Sequence, residues 1–175
     1  ELALDVIARA GQSKRYIIGL AGAPGSGKTT LAAEICQALG AKSETAVVVP
    51  MDGFHFDDVV LNARGHRARK GAHYTFDAPG FVHLIKRIKA RESDIAIPVF
   101  DRTMELSRAA ADVISSDTRF IIVEGLYLLL KREPWVNLKP LFDISIYLDV
   151  PRNELERRLT KRILEHGHDE AYAKN

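Results

Sequence analysis

Gly22-Ala23-Pro24-Gly25-Ser26-Gly27-Lys28-Thr29 fits the pattern G-x-x-x-x-G-K-S/T in full, with Thr30 carrying the chain onward. Each position has a physical reason. Glycines let backbone N–H groups turn inward around a phosphate, and the start of a following helix adds partial positive charge. Lys28 can reach terminal phosphates, and the Thr29 hydroxyl can ligate magnesium. The context agrees: Tyr16 to Leu20 is an apolar, β-rich run, and Leu31, Ile35, Ala38 and Leu39 recur at helical spacing until Gly40. Residues 22–30 are therefore expected to cradle a nucleotide's phosphates between a strand and a helix.

Outward from that loop the chain alternates short apolar runs with helix-period segments. Glu1 to Ala10 reads as a helix ended by Gly11, and Ala46 to Val49 as a strand ended by Pro50. Asp77 and Pro79 open a helix carrying Phe81, Leu84, Ile85 and Ile88. Ile95 to Phe100 is a short strand or extended segment, Phe120 to Val123 and Ile144 to Leu148 are buried-strand candidates, and Leu155, Leu159 and Ile163 mark an arginine-rich closing helix. Four core strands, mostly separated by helices, predict parallel pairing in a single α/β domain over 1–175. Gly53 to His73 has no apolar period and reads as a long functional loop with short helices.

Composition excludes several classes. The chain is 46% hydrophobic and 27% charged, the balance of a globular domain. Its 25 basic residues against 23 acidic ones argue against a nucleic-acid partner. Cys36 alone forbids an internal disulfide and suits a reducing, cytoplasmic compartment. The longest apolar run, Leu126 to Leu130, is far below the roughly 20 residues a membrane span needs.

Carboxylates mark the strand ends. Asp52, in Pro50-Met51-Asp52-Gly53-Phe54-His55, falls where ligands gather in an open parallel sheet and could deprotonate an acceptor hydroxyl; a plain Asp-Gly turn is the competing reading. Glu124 follows Phe120-Ile121-Ile122-Val123 as a magnesium-side carboxylate would, acting through a bound water. A guanine-reading N-K-x-D is missing, since Asn137-Leu138-Lys139-Pro140 lacks its aspartate. Asp77-Ala78-Pro79-Gly80 has D-x-x-G spacing, but no apolar strand precedes it, so it reads as a helix start.

Basic residues form two clusters. Arg64, Arg67, Arg69 and Lys70 lie in the 53–74 loop. Arg157, Arg158, Lys161 and Arg162 lie on the closing helix, where Arg158 and Arg162 are expected to close over a transferring phosphoryl group. His55, Tyr74, Asp101 and Arg102 are candidates for acceptor contact, against packed loop residues or a surface ion pair.

These strings in order resemble the uridine kinase, phosphoribulokinase and bacterial pantothenate kinase superfamily, nearest its branch of nucleoside-triphosphate-hydrolase or fructose-transport-system kinase-like proteins. The resemblance runs from Tyr16 over nearly the whole chain. It rests on the phosphate loop, Pro50 to His55, Arg69-Lys70-Gly71-Ala72 with Thr75-Phe76-Asp77, Val99-Phe100-Asp101-Arg102, and Val123-Glu124-Gly125 with Tyr127 to Leu130. It implies a P-loop NTPase fold: a three-layer α/β/α sandwich with a mainly parallel sheet, a helical lid over 152–168 and an acceptor-side loop over 53–74. It also implies magnesium-ATP as donor, a small-molecule hydroxyl as acceptor, and room for a homodimer. By position Asp52 matches the family's general base, Glu124 its Walker-B-like carboxylate, Arg162 its lid arginine and Lys70 its K-G segment near the acceptor. Leu126 departs from the branch's E-G-N-Y string, and the family's final strand and adenine-contacting loop lie beyond Asn175.

The expected activity is transfer of the γ-phosphate of ATP to a hydroxyl of a nucleoside, sugar or pantothenate-like metabolite. The alternative is an acceptor-independent P-loop NTPase acting as a regulatory switch, an RNA-associated protein or a nucleotide sensor.

Overall fold

The computed structural model describes residues 1–165, and of these all side chains but those of 162, 163 and 165. Its centre is a parallel four-stranded sheet of β1 (Tyr16–Gly22), β2 (Ala46–Pro50), β5 (Phe120–Gly125) and β6 (Ile144–Leu148), in the order β2-β5-β1-β6. The two inner strands, Tyr16-Ile17-Ile18-Gly19-Leu20-Ala21-Gly22 and Phe120-Ile121-Ile122-Val123-Glu124-Gly125, are buried at every residue. That is what a strand covered on both faces requires, and it explains their near-continuous apolar runs. The outer strands are mostly half-buried or exposed, as edges are.

Alternate residues of the sheet feed two cores. Ile18, Leu20, Phe120 and Ile122 pack with α1 (Leu2–Ala10) and α2 (Lys28–Gly40) on one face. On the other face Ile17, Ala21, Ile121 and Val123 pack with α4 (Ala78–Lys89) and with Trp135 and Leu138 of the 3-10 turns over 135–141. Three layers result, as expected. Asp77 caps α4 by accepting the Gly80 N–H at 3.0 Å, which settles the D-x-x-G string as a helix start.

Parallel pairing puts all four strand ends on one side. Leu20 and Pro50 both stand opposite Glu124, and Gly22 stands opposite Leu148. Because β5 lies between β1 and β2, Glu124 lies between the loop after β1 and the turn after β2.

Two features depart from the sequence reading. The extended run 95–100 is one arm of an antiparallel hairpin, β3 (Ile95–Asp101) and β4 (Leu106–Ile114), set apart from the main sheet. The strand β4 was not expected. Its Leu-Ser-Arg-Ala-Ala-Ala-Asp-Val-Ile has no apolar alternation because most of it faces solvent. In the 53–74 segment the short helices are α3 (Asp58–Ala63) and a 3-10 turn over Arg67–Arg69. The closing helix α5 runs Arg152–Glu165, so Arg162's side chain and the 166–168 end of the expected lid fall outside the described residues.

Candidate active site

A cavity of about 850 Å³ opens at the carboxyl ends of the strands. One wall is the loop between β1 and α2, where Gly25 and Gly27 have φ of 79° and 91°, conformations that side chains rarely adopt. Gly27 precedes α2, whose first turn has no side-chain cap and no acidic residue, leaving its N–H groups to a phosphate. Pro24, Gly25, Gly27, Lys28, Thr29 and Thr30 line the cavity. Gly22 closes β1, Ala23 accepts the Lys28 ammonium on its carbonyl at 2.9 Å, and the buried Ser26 hydroxyl has no hydrogen-bond partner.

Thr29 Oγ1 lies 3.1 and 3.0 Å from the two carboxylate oxygens of Glu124, to which it donates. Burial pushes the Glu124 carboxyl above its usual range, with the Thr29 bond opposing the shift and the charge of Asp52 adding to it. A hydroxyl and a carboxylate side by side are hard oxygen ligands of the kind magnesium takes. Among the described residues no group of three His, Cys, Asp or Glu could hold a metal, so such an ion would take its remaining ligands from phosphates and water. The orphaned Ser26 hydroxyl, the uncapped helix and this oxygen pair fit a magnesium-bound polyphosphate.

The turn after β2, Met51–Phe54, presents Asp52 from the opposite wall. Met51 is buried, and a Cβ on Gly53 would collide with the Pro98 carbonyl oxygen of β3. The hairpin thus braces the turn. Asp52 Oδ2 accepts the Arg102 guanidinium at 2.8 Å, across the cavity mouth from the hairpin tip. His55 lies between Phe76 and Phe100, with ring centroids 4.0 and 4.8 Å away. Its Nδ1 is 2.8 Å from the Asp52 carbonyl, which can only accept, so that nitrogen carries the hydrogen. Burial lowers the His55 pKa and favours the neutral ring.

Lys70 also lines the cavity, but its ammonium is engaged by Asp58 Oδ1 at 2.8 Å and the Glu105 carbonyl at 2.9 Å. It ties the 53–74 segment to the hairpin tip. Tyr74 stands outside this lining, beside a smaller hollow of about 190 Å³ and edge-on to His66 and His73. Asp101 does too: it accepts the Thr103 and Met104 N–H groups and shapes the hairpin turn. From α5, Arg158 and Leu159 reach the cavity, and Arg158 Nη1 lies 3.3 Å from the Gly25 carbonyl.

Glu105, Phe100 and Leu126 line the site without having been singled out for it as ligands. Glu105 follows the Asp101-Arg102 string by a turn's length, a signal that a hairpin reading of 95–114 would have supplied.

Residues 17–173 match the model of the Phosphoribulokinase / Uridine kinase family. The chain belongs to that family. It is 39% identical over 163 residues to "Putative uridine kinase C227.14" of Schizosaccharomyces pombe, covering 88% of this chain and 68% of that one. It is 31% identical to a Rhodococcus opacus protein named "Pantothenate kinase", covering 87% of this chain and 50% of that one. A crystal structure of a "putative fructose transport system kinase" from Silicibacter sp. TM1040 superposes with a TM-score of 0.92 at 41% identity, covering 98% of this chain and 84% of the other. This family member is a P-loop kinase, a phosphotransferase with an alcohol group of a small molecule as acceptor, and ATP use goes with the family. Among the described residues no helix is long and apolar enough to cross a membrane.

Proposed function

We propose that this kinase moves the γ-phosphate of magnesium-ATP to a hydroxyl of a small, polar metabolite, with Asp52 as general base. The observation that supports it is the placement of Asp52 across one cavity from Lys28 and Thr29. Lys28, the α2 amides and Ser26 bind and orient the β- and γ-phosphates. Thr29 and Glu124 would hold magnesium, which would supply positive charge against that of the phosphates. Asp52 takes the proton of the attacking hydroxyl, and His55, set between two phenylalanines, shapes the acceptor's side of the pocket. Arg158 brings positive charge over the phosphates from α5. Catalysis of this kind is mostly positioning and electrostatics.

A cytoplasmic setting suits the lone Cys36, and a homodimer is a matter for sedimentation. The test is ADP release from magnesium-ATP across nucleosides, sugars, sugar phosphates and hydroxy acids, with a control lacking acceptor. Release that climbs with one acceptor supports the reading. A rate indifferent to all of them overturns it in favour of an NTPase switch.

A further inference from the structure

We propose that Arg102 selects the acceptor: it holds Asp52 while the site is empty and turns to an anionic group, a carboxylate or a phosphate, on the molecule that enters. This rests on the kinase reading above and narrows its substrate class.

Three cations line the acceptor end, and their partners differ. Lys70 is held by Asp58 and the Glu105 carbonyl, and Arg67 is held by Asp58 at 2.6 Å. Both are satisfied by residues that no reaction step requires. Arg102 is held by Asp52, the carboxylate that must turn to the acceptor's hydroxyl.

The pair is built to exchange. One nitrogen of Arg102 meets one oxygen of Asp52, and the two side chains are 65% and 37% exposed. Exposed ion pairs of this kind add little to stability. A guanidinium has five N–H donors in a fork that matches a carboxylate or phosphate in two-point contact, and it stays protonated at any working pH. Once Asp52 engages a hydroxyl, an anionic acceptor gives Arg102 a replacement partner. A neutral acceptor gives Arg102 no such partner, or leaves Asp52 still tied to it; either way binding suffers. Position allows the turn. Arg102 sits at the hairpin tip immediately after β3, and the hairpin is fastened nearby by Lys70 at Glu105, so the guanidinium can swing while the tip stays in place.

The experiment measures ADP release from magnesium-ATP with matched acceptors that differ by an anionic group: glycerate and glycerol, gluconate and glucose, pantothenate and panthenol, ribose 5-phosphate and ribose. The wild-type protein is expected to favour the charged member of at least one pair by about tenfold or more in kcat/KM, the scale of one charge-assisted hydrogen bond. Which pair responds tells carboxylate from phosphate. Arg102→Gln is expected to cut that preference at least tenfold, mainly through KM, and Arg102→Lys to restore part of it. Should Arg102→Gln fold poorly, the wild-type preference and Arg102→Lys decide. Equal use of charged and neutral members overturns the inference and leaves the kinase standing, and so does an Arg102→Gln loss equal for both members. ADP release indifferent to every acceptor overturns the kinase reading and this inference with it.

Discussion

The Thr29 hydroxyl donates to a Glu124 carboxylate that is only 9% exposed, and it joins the first turn after the phosphate loop to the end of the central strand β5. A carboxylate kept there at neutral pH is a cost to the empty fold and an asset to a bound cation. The raised Glu124 pKa means that the folded chain binds that proton more readily than the unfolded one does. Stability from this group is therefore greatest at low pH and falls as pH rises from the ordinary carboxylate range through the raised value.

Glu124→Gln is accordingly expected to raise the Tm of the ligand-free protein at pH 7, at about 2–4 °C per kcal/mol for a domain of this size. The same change is expected to raise the magnesium needed for half-maximal turnover by about 10–100-fold, as loss of an outer-sphere carboxylate does. Thermal scans and magnesium titrations read the two effects separately. A Tm that falls would mean that the Thr29 bond outweighs the burial of charge.

Asp52→Asn removes the proposed base and keeps the shape. Turnover is expected to drop by about 100-fold or more, with ATP binding retained. Calorimetric ATP titration beside ADP release checks this, and unchanged turnover would remove Asp52 from proton transfer.

The brace under Asp52 can be tested without touching a charged group. Gly53→Ala places a methyl against the Pro98 carbonyl oxygen, so either the 51–54 turn or the hairpin must shift. Overpacking of this kind costs about 1–3 kcal/mol. Displacing Asp52 by even about 1 Å is expected to cost a further 100-fold in turnover, since positioning carries much of catalysis. A lower Tm together with lower kcat is the expected pair of results.

The legible parts of the molecule were those where local chemistry and fold agree. The phosphate loop was readable because Gly25 and Gly27 take positive φ for the same reason that they permit phosphate approach. The shared position of Asp52 and Glu124 at the strand ends was readable because parallel strands end together. Strand β4 was not, because an exposed strand has no burial to impose alternation, and Ser107 to Asp112 face outward or nearly so. The partners of Lys70 were hidden for a different reason. Asp58 and Glu105 lie 12 and 35 positions away, and only the docking of the hairpin on the 53–74 segment brings them together.

The contact from α5 gives the last prediction. Arg158 Nε is 2.6 Å from Glu154 Oε1 and its Nη1 reaches the Gly25 carbonyl, so one side chain links the helix to the phosphate loop. Arg157 and Arg158 hold the Glu154 carboxyl down at about 2, so the tether persists at any pH at which the enzyme would be assayed. Arg158→Ala is expected to leave the Tm within a degree or two, because these groups are exposed and such pairs add little. Turnover is expected to fall about tenfold or more, since an arginine over the transferring group stabilises charge that develops only in the transition state. Glu154→Gln provides the control. It frees Arg158 from its tether without removing its charge, and a much smaller loss of turnover than in Arg158→Ala would place the effect on the guanidinium itself. Equal losses would assign it to the geometry of the helix.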